Sequence, residues 1–269
     1  MANTAIVIPI YREKPSAMEV MSLERCLSIL LKHPIVFFFP DGMEISWYRN
    51  LCADRVTVSF ESFDPPYFTG IEGYNQLLIS KDFYKRFLAY EFVLVYQLDA
   101  YVFKDTLDHW SELDYDYIGA PWVKLRWQQD AFYRLRNTIL RRQSILMRLF
   151  TRARWKLRKL DYPDALSVGN GGLSLRKVKT FYQIAAAVEA PDFIFNEDLY
   201  WSIYIPLTRK DFRIADVKTA VGFCFDSNPA LCFSMNEGKL PFGAHAWFRD
   251  TGEYEGNFTF WKSHISINS

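Results

Sequence analysis

Four groups of residues have types and positions that suit metal-ion and acid–base chemistry at a ligand site: Asp99, Gly171-Gly172, Glu197-Asp198 and His245. Asp99 closes an apolar run, Phe92 to Tyr96, whose β-branched and aromatic content reads as a buried strand. A charge at the end of a core strand is costly unless it is paired or bound to a metal. A strand-end carboxylate and a distant histidine together can hold Mn²⁺ or Mg²⁺ and leave positions open for diphosphate oxygens. A glycine pair allows a ligand to approach the backbone closely, and an acid at a helix start can act as general base toward a hydroxyl. Each group also has an ordinary reading: a capped turn, a tight turn, a helix cap, a hydrogen-bonded histidine among aromatics.

The elements that must position these groups alternate. Ala5 to Ile10, Ile35 to Phe39 and Arg55 to Phe60 read as strands; Met18 to Leu31, Trp47 to Cys52 and Tyr74 to Tyr90 read as helices. This spacing predicts an α/β fold with a mainly parallel sheet covered by helices on both faces. In such sheets ligands collect at the carboxyl ends of the strands, where Asp99 falls. Further on, 168–176 reads as a glycine-dense turn entering a strand, Lys177 to Ala190 as a helix, and Ala220 to Phe225 as a strand. No Gly-x-Gly-x-x-Gly follows the first strand and no Walker A sequence occurs, which disfavours NAD and P-loop chemistry.

The chain has 269 residues, half of them apolar and 17% aromatic, as expected of a globular protein. Its net charge of +1 conceals a segregation: Lys124 to Lys159 carries twelve Lys or Arg against one acid, a net +11, and leaves −10 for the remainder. Apolar residues in that segment recur near helical spacing, so 124–160 reads as a basic amphipathic helical insertion, its apolar stripe from Phe132 to Leu160 about 44 Å long if it is one helix. It can pack as a solvated arm, or it can lie on an anionic lipid surface through Trp127, Phe132, Phe150 and Trp155. Nucleic acid is not expected as a partner, since no reading motif accompanies the basic stripe. No apolar run approaches a membrane span and no signal peptide is recognised. A cytoplasmic location, at most peripheral on the inner membrane face, is expected. Without a signal peptide, the glycosylation-type sequence Asn257-Phe258-Thr259 carries little weight. The four cysteines show no metal-ligand spacing.

The stretches Tyr96-Gln97-Leu98-Asp99-Ala100-Tyr101-Val102-Phe103, Tyr115 to Trp122 and Val168-Gly169-Asn170-Gly171-Gly172-Leu173-Ser174-Leu175-Arg176, in that order, resemble a bacterial family of glycosyltransferases with the GT-A fold. The likeness runs from about Ala5 to Trp247, apart from the basic insertion. It implies a single GT-A-like domain over 1–269. It also implies transfer of a sugar from a nucleotide-sugar donor, a UDP-sugar by expectation, to a glycan or lipid-linked acceptor, with inversion, in surface polysaccharide or lipopolysaccharide synthesis.

By the same resemblance Asp99 stands for the last acid of the Asp-x-Asp signature, and Asp99 and His245 would bind the metal. Gln97 occupies the other acid's position, a departure from the usual pattern. Asp198 would be the base and Glu197 would orient the acceptor. Donor contacts are expected from Pro9, Ile10, Tyr11, Arg12, Tyr74, Asn75, Lys81, Gln97, Leu98, Asp99, Ala100, Gly171 and Gly172, and acceptor contacts from Trp122 and Asn170. The alternative is a catalytically inactive sugar-binding or scaffolding subunit of a polysaccharide assembly complex, favoured by the missing second acid.

Overall fold

In the computed structural model, residues 3–53, 58–123, 166–187 and 196–266 are described. The basic segment 124–160 lies outside them, as do residues 55–57, which were expected to open the third strand.

The apolar runs form the centre of the molecule. Strands β1 (Thr4–Pro9), β2 (Ile35–Pro40), β3 (Val58–Phe63) and β4 (Phe92–Tyr96) pair in parallel, and β6 (Tyr117–Val123) and β7 (Leu166–Lys177) complete a six-stranded sheet of order β3-β2-β1-β4-β7-β6. Only β7 runs against its neighbours, pairing antiparallel with both β4 and β6. β1 and β4 are buried along their whole length, which is why they read as continuous apolar runs and not as alternating ones. One core, including Ile6, Phe37 and Leu94, covers one sheet face; a second, including Val7, Phe38 and Val95, covers the other.

Helix α1 (Ala17–Ile29) starts with a reciprocal capping box: Glu19 N–H donates to Ser16 Oγ, and Ser16 N–H donates to Glu19 Oε2 at 2.7 Å. α2 (Ser46–Cys52) follows β2. The long helix expected over Tyr74 to Tyr90 is two, α3 (Gly70–Ile79) and α4 (Lys81–Arg86), because Ser80 ends one and caps the other. Its hydroxyl donates to Leu77 O and accepts from Phe83 N–H. α5 (Leu107–Glu112) and α6 (Val178–Ala187) flank the sheet.

Two other expectations are corrected. The glycine-dense stretch at 168–176 is no turn; it is the interior of the twelve-residue strand β7. Most of the strand expected at Ala220 to Phe225 is helical, with only Cys224–Phe225 extended, because the Asp216 carboxylate accepts from Thr219 N–H and caps a helix at Val217–Phe223.

A second sheet, of order β5-β9-β8, holds β5 (Tyr101–Val102), β8 (Cys224–Phe225) and β9 (Gly243–Ala244) beside the end of β4. It packs on a third core that includes Trp247, Trp261 and Phe225. Among the described residues no helix is long and apolar enough to cross a membrane.

Candidate active site

The site is built where chain leaves the carboxyl end of β4. Gln97 and Asp99 lie just past that strand, and His245 follows β9, which the small sheet brings alongside. His245 Nε2 is 3.1 Å from Asp99 Oδ1 and 3.2 Å from Gln97 Oε1, while Nδ1 is 2.8 Å from Asp226 Oδ1. Asp99 Oδ2 lies 2.7 Å from Arg249 Nη2. Arg249 is thus a second cationic partner of Asp99, on the oxygen that His245 does not pair with.

These groups set one another's protonation. Burial pulls the His245 imidazolium toward deprotonation, but Asp99 and Asp226 outweigh it and raise its pKa to about 10. Burial also pushes the Asp99 carboxyl up, and His245 and then Arg249 reverse this, holding it at about 2. The Asp99 carboxylate therefore sits between a cationic imidazole and a guanidinium.

The acid pair lies on the other side of β7. Glu197 and Asp198 open α7 (Glu197–Leu199), which runs through a π-helical turn, Tyr200–Tyr204, into α8 (Ile205–Thr208); the helix capped by Asp216 is α9 (Val217–Phe223). Glu197 is buried, and its Oε1 accepts from Arg176 Nη2 at 2.9 Å. Its Oε2 has no hydrogen-bond partner among the described residues. Arg176, fully buried in β7, also donates to Ser174 Oγ and Tyr84 Oη, both at 3.0 Å. Asp198 is half-buried and its Oδ1 accepts from Leu199 N–H at 2.7 Å. Loss of hydration, followed by the neighbouring Glu197 charge, pushes the Asp198 carboxyl up to about 8.

Two pairs of consecutive residues hold the halves of the site side by side. On α3, Tyr74 Oη accepts from Gln97 Nε2 at 3.1 Å, and the next residue, Asn75, accepts through Oδ1 from Glu197 N–H at 3.1 Å. On β7, a Cβ at Gly171 would overlap Glu197 Oε1, and a Cβ at Gly172 would overlap the His245 imidazole. The glycines are there for close approach and not for a turn. Gly172→Ala is accordingly expected to displace His245 with the fold intact, as measured by a shift of the His245 imidazole resonances in NMR and an unchanged circular dichroism spectrum.

The remaining expected residues divide. Tyr11 and the Arg12 side chain are exposed at 54% and 51%, on the loop after β1. Ile10, Leu98 and Ala100 point into the core, and Pro9 is buried within β1, so these four can offer only backbone to a ligand. Lys81 begins α4, exposed, beyond the break at Ser80, and among the described residues no hydrogen bond or ion pair joins it to the cluster. Trp122 is buried with its ring against Gly169. Asn170 is buried and its Oδ1 accepts from Gly172 N–H at 2.9 Å, so it shapes the glycine pair. Asn257 is buried and donates to Asp226 O, so the Asn-Phe-Thr sequence is structural and not an acceptor for a glycan.

Sequence reasoning missed Asp226, Arg249 and the role of Arg176. Asp226 carried the signal that singled out Asp99, an acid closing the apolar run Phe223-Cys224-Phe225, and Arg176 is a lone charge ending Leu173-Ser174-Leu175. Nothing local marked Arg249.

Residues 57–245 match the family described as "Protein of unknown function (DUF5672)". The chain belongs to this family. No curated protein matches it in sequence. In structure it is similar to mouse xyloside xylosyltransferase 1 in its apo form, at 11% identity and a TM-score of 0.52, over 89% of this chain and 96% of that one. It is also similar to the glycosyltransferase GlyE of Streptococcus pneumoniae TIGR4, at 12% identity and a TM-score of 0.50, over 99% of this chain and 61% of that one. At such identities the likeness is one of fold, and the GT-A-like α/β architecture expected from the sequence is the one observed. The DUF5672 match contains Asp99, Arg176, the acid pair, Asp226 and His245, whereas Arg249 and Asn257 lie beyond its end.

In this DUF5672 chain the donor chemistry at Asp99 suits a hard divalent cation such as Mn²⁺ or Mg²⁺. A carboxylate oxygen and an amide oxygen face an imidazole nitrogen whose other nitrogen is anchored on a carboxylate, an arrangement typical of metal-binding histidines. Among the described residues no group of three His, Cys, Asp or Glu side chains is disposed to hold an ion. Ligand oxygens would have to complete the coordination.

Proposed function

We propose that the protein is a glycosyltransferase that moves a sugar from a nucleotide-sugar donor, a UDP-sugar by preference, to a hydroxyl of a glycan or lipid-linked acceptor. The observation that carries this reading is the juxtaposition just described: Asp99, Gln97 and His245 converge beside an acid pair, and Tyr74-Asn75 and Gly171-Gly172 hold the two together. One half suits a diphosphate leaving group and the other suits an incoming hydroxyl.

In this reading Tyr11 and Arg12 flank the nucleotide on the loop after β1. Asp99, Gln97 and His245 would hold the divalent ion, which when bound offsets negative charge on the departing diphosphate. Glu197, held in place by Arg176, offers its unpartnered oxygen to orient the acceptor. Asp198, with its carboxyl raised toward neutral pH, takes the proton from the acceptor hydroxyl as the anomeric bond forms and the diphosphate leaves. A single displacement with Asp198 as base inverts the anomeric centre. A product of retained configuration, read from its anomeric proton coupling, would remove Asp198 from that role.

The test is calorimetric titration with UDP in the presence of Mn²⁺, followed by a transfer screen with labelled nucleotide sugars. Asp99→Asn is expected to weaken UDP·Mn²⁺ binding at least about tenfold and to reduce turnover about 10²–10³-fold. No UDP binding by the wild type, or full transfer activity in the Asn variant, would sink the proposal. Gln97 in an acid's position favours a second reading, an inactive sugar-binding subunit. Donor binding without turnover in any acceptor screen would select it.

A further inference from the structure

The Asp99 carboxylate has two counter-ions of different character. His245 is buried and fixed from behind by Asp226. Arg249, four residues later, is 50% exposed in its side chain while Asp99 is 8% exposed. Its contact with Oδ2 is a close ion pair, 2.7 Å between Nη2 and the oxygen. The segment that follows contains Gly252 and Gly256, both in the left-handed region at φ 64° and 86°. The guanidinium lies 5.6 Å from the Tyr254 ring centroid, and Tyr11 on the expected nucleotide loop belongs to its electrostatic surroundings. Arg249 therefore reaches from the solvent edge onto the carboxylate that a metal would use.

We propose that Arg249 is a mobile clamp for the donor diphosphate that guards the metal position. Without ligand it sits on Asp99 Oδ2; a nucleoside diphosphate draws it away, so diphosphate and metal bind as a coupled pair. The inference rests on the nucleotide-sugar reading above. A guanidinium and a divalent cation compete for the same carboxylate, so a metal arriving alone must evict Arg249 into water. A diphosphate offers the guanidinium paired oxygens in the geometry it binds best, which lowers the cost of that eviction. By linkage the metal must then favour the diphosphate by the same factor.

Calorimetry on the full chain tests this with three titrants: Mn²⁺ alone, UDP alone, and UDP at saturating Mn²⁺. Arg249→Gln is expected to bind Mn²⁺ alone about tenfold more tightly and UDP alone about tenfold more weakly, and to lose most of the gain in UDP affinity that Mn²⁺ confers on the wild type. Arg249→Lys, which keeps the charge but not the paired N–H groups, is expected to fall between them. Circular dichroism on both variants checks that the exposed substitution leaves the fold unchanged. If the wild type binds UDP·Mn²⁺ and Arg249→Gln binds Mn²⁺ no more tightly, the clamp is wrong and the donor reading stands. If no form binds UDP with Mn²⁺, the donor reading itself fails and the clamp falls with it.

Discussion

Asp198→Asn is expected to abolish transfer while making the protein more stable. The catalytic half of the expectation follows from the proposed role: an amide cannot accept the acceptor's proton, and losing a general base costs about 10²–10⁴-fold in rate. UDP·Mn²⁺ binding should survive, because Asp198 is not among the groups around Asp99.

The stability half follows from burial. The Asp198 carboxyl is raised to about 8 in the folded protein, whereas an unfolded chain releases that proton near the ordinary Asp value of 3.8. Between those values the folded state holds a proton the unfolded state has lost, so stability falls as pH rises from about 4 to about 8. Asn has no such dependence. Even a fraction of this shift is worth about 1 kcal/mol, or a Tm gain of about 2–4 °C at pH 8 for a chain of this size, with no gain at pH 4. Wild-type kcat/KM should in turn rise with pH through an apparent value near 8. Scanning calorimetry at the two pH values and a pH–rate profile measure both. A variant that is active, or equally stabilised at both pH values, would refute the assignment.

The largest stability effect is expected at Arg176. Its guanidinium is fully buried, donates to Glu197, Ser174 and Tyr84, and lies 5.6 Å from the Tyr117 ring centroid. Arg176→Met leaves the Glu197 carboxylate buried with no counter-ion, at a cost of about 3–5 kcal/mol. Replacing both members, Arg176→Met with Glu197→Met, removes the stranded charge and should cost less than the two single changes combined, since the partners form one network. Urea denaturation of the four proteins closes the cycle. Additive costs, or a loss under about 1 kcal/mol for Arg176→Met, would show that the pair does not hold the site together. The double variant should still fail in transfer if Glu197 orients the acceptor.

Much of the frame was legible without coordinates because its signals are local. β1, β2 and β4 announced themselves as apolar runs, since a parallel strand covered on both faces leaves no room for alternation. Where local signals compete, the reading failed. Helical periodicity runs through Ser80 because a capping serine does not interrupt the apolar pattern on either side. Gly169, Gly171 and Gly172 resemble a turn when no neighbour is in view, yet they form a strand because Ser202, Glu197 and His245 fill the space that their side chains would take. Ala220 to Phe225 reads as a strand until the cap on the helix Val217–Phe223 is seen.

The sequence by itself determined the α/β class, the strand-end position of Asp99 and the candidacy of Glu197-Asp198 and His245, because residue type and short-range spacing carry those. Only the tertiary structure decided whether Asp99 and His245 meet. They do, at 3.1 Å across 146 positions of the chain, because β9 pairs with β5 beside the end of β4. It also decided their neighbours: Asp226 behind the imidazole, Arg249 on the other carboxylate oxygen of Asp99 and Arg176 under Glu197. An electrostatic partner is chosen by distance in space, and no spacing along the chain encodes that distance.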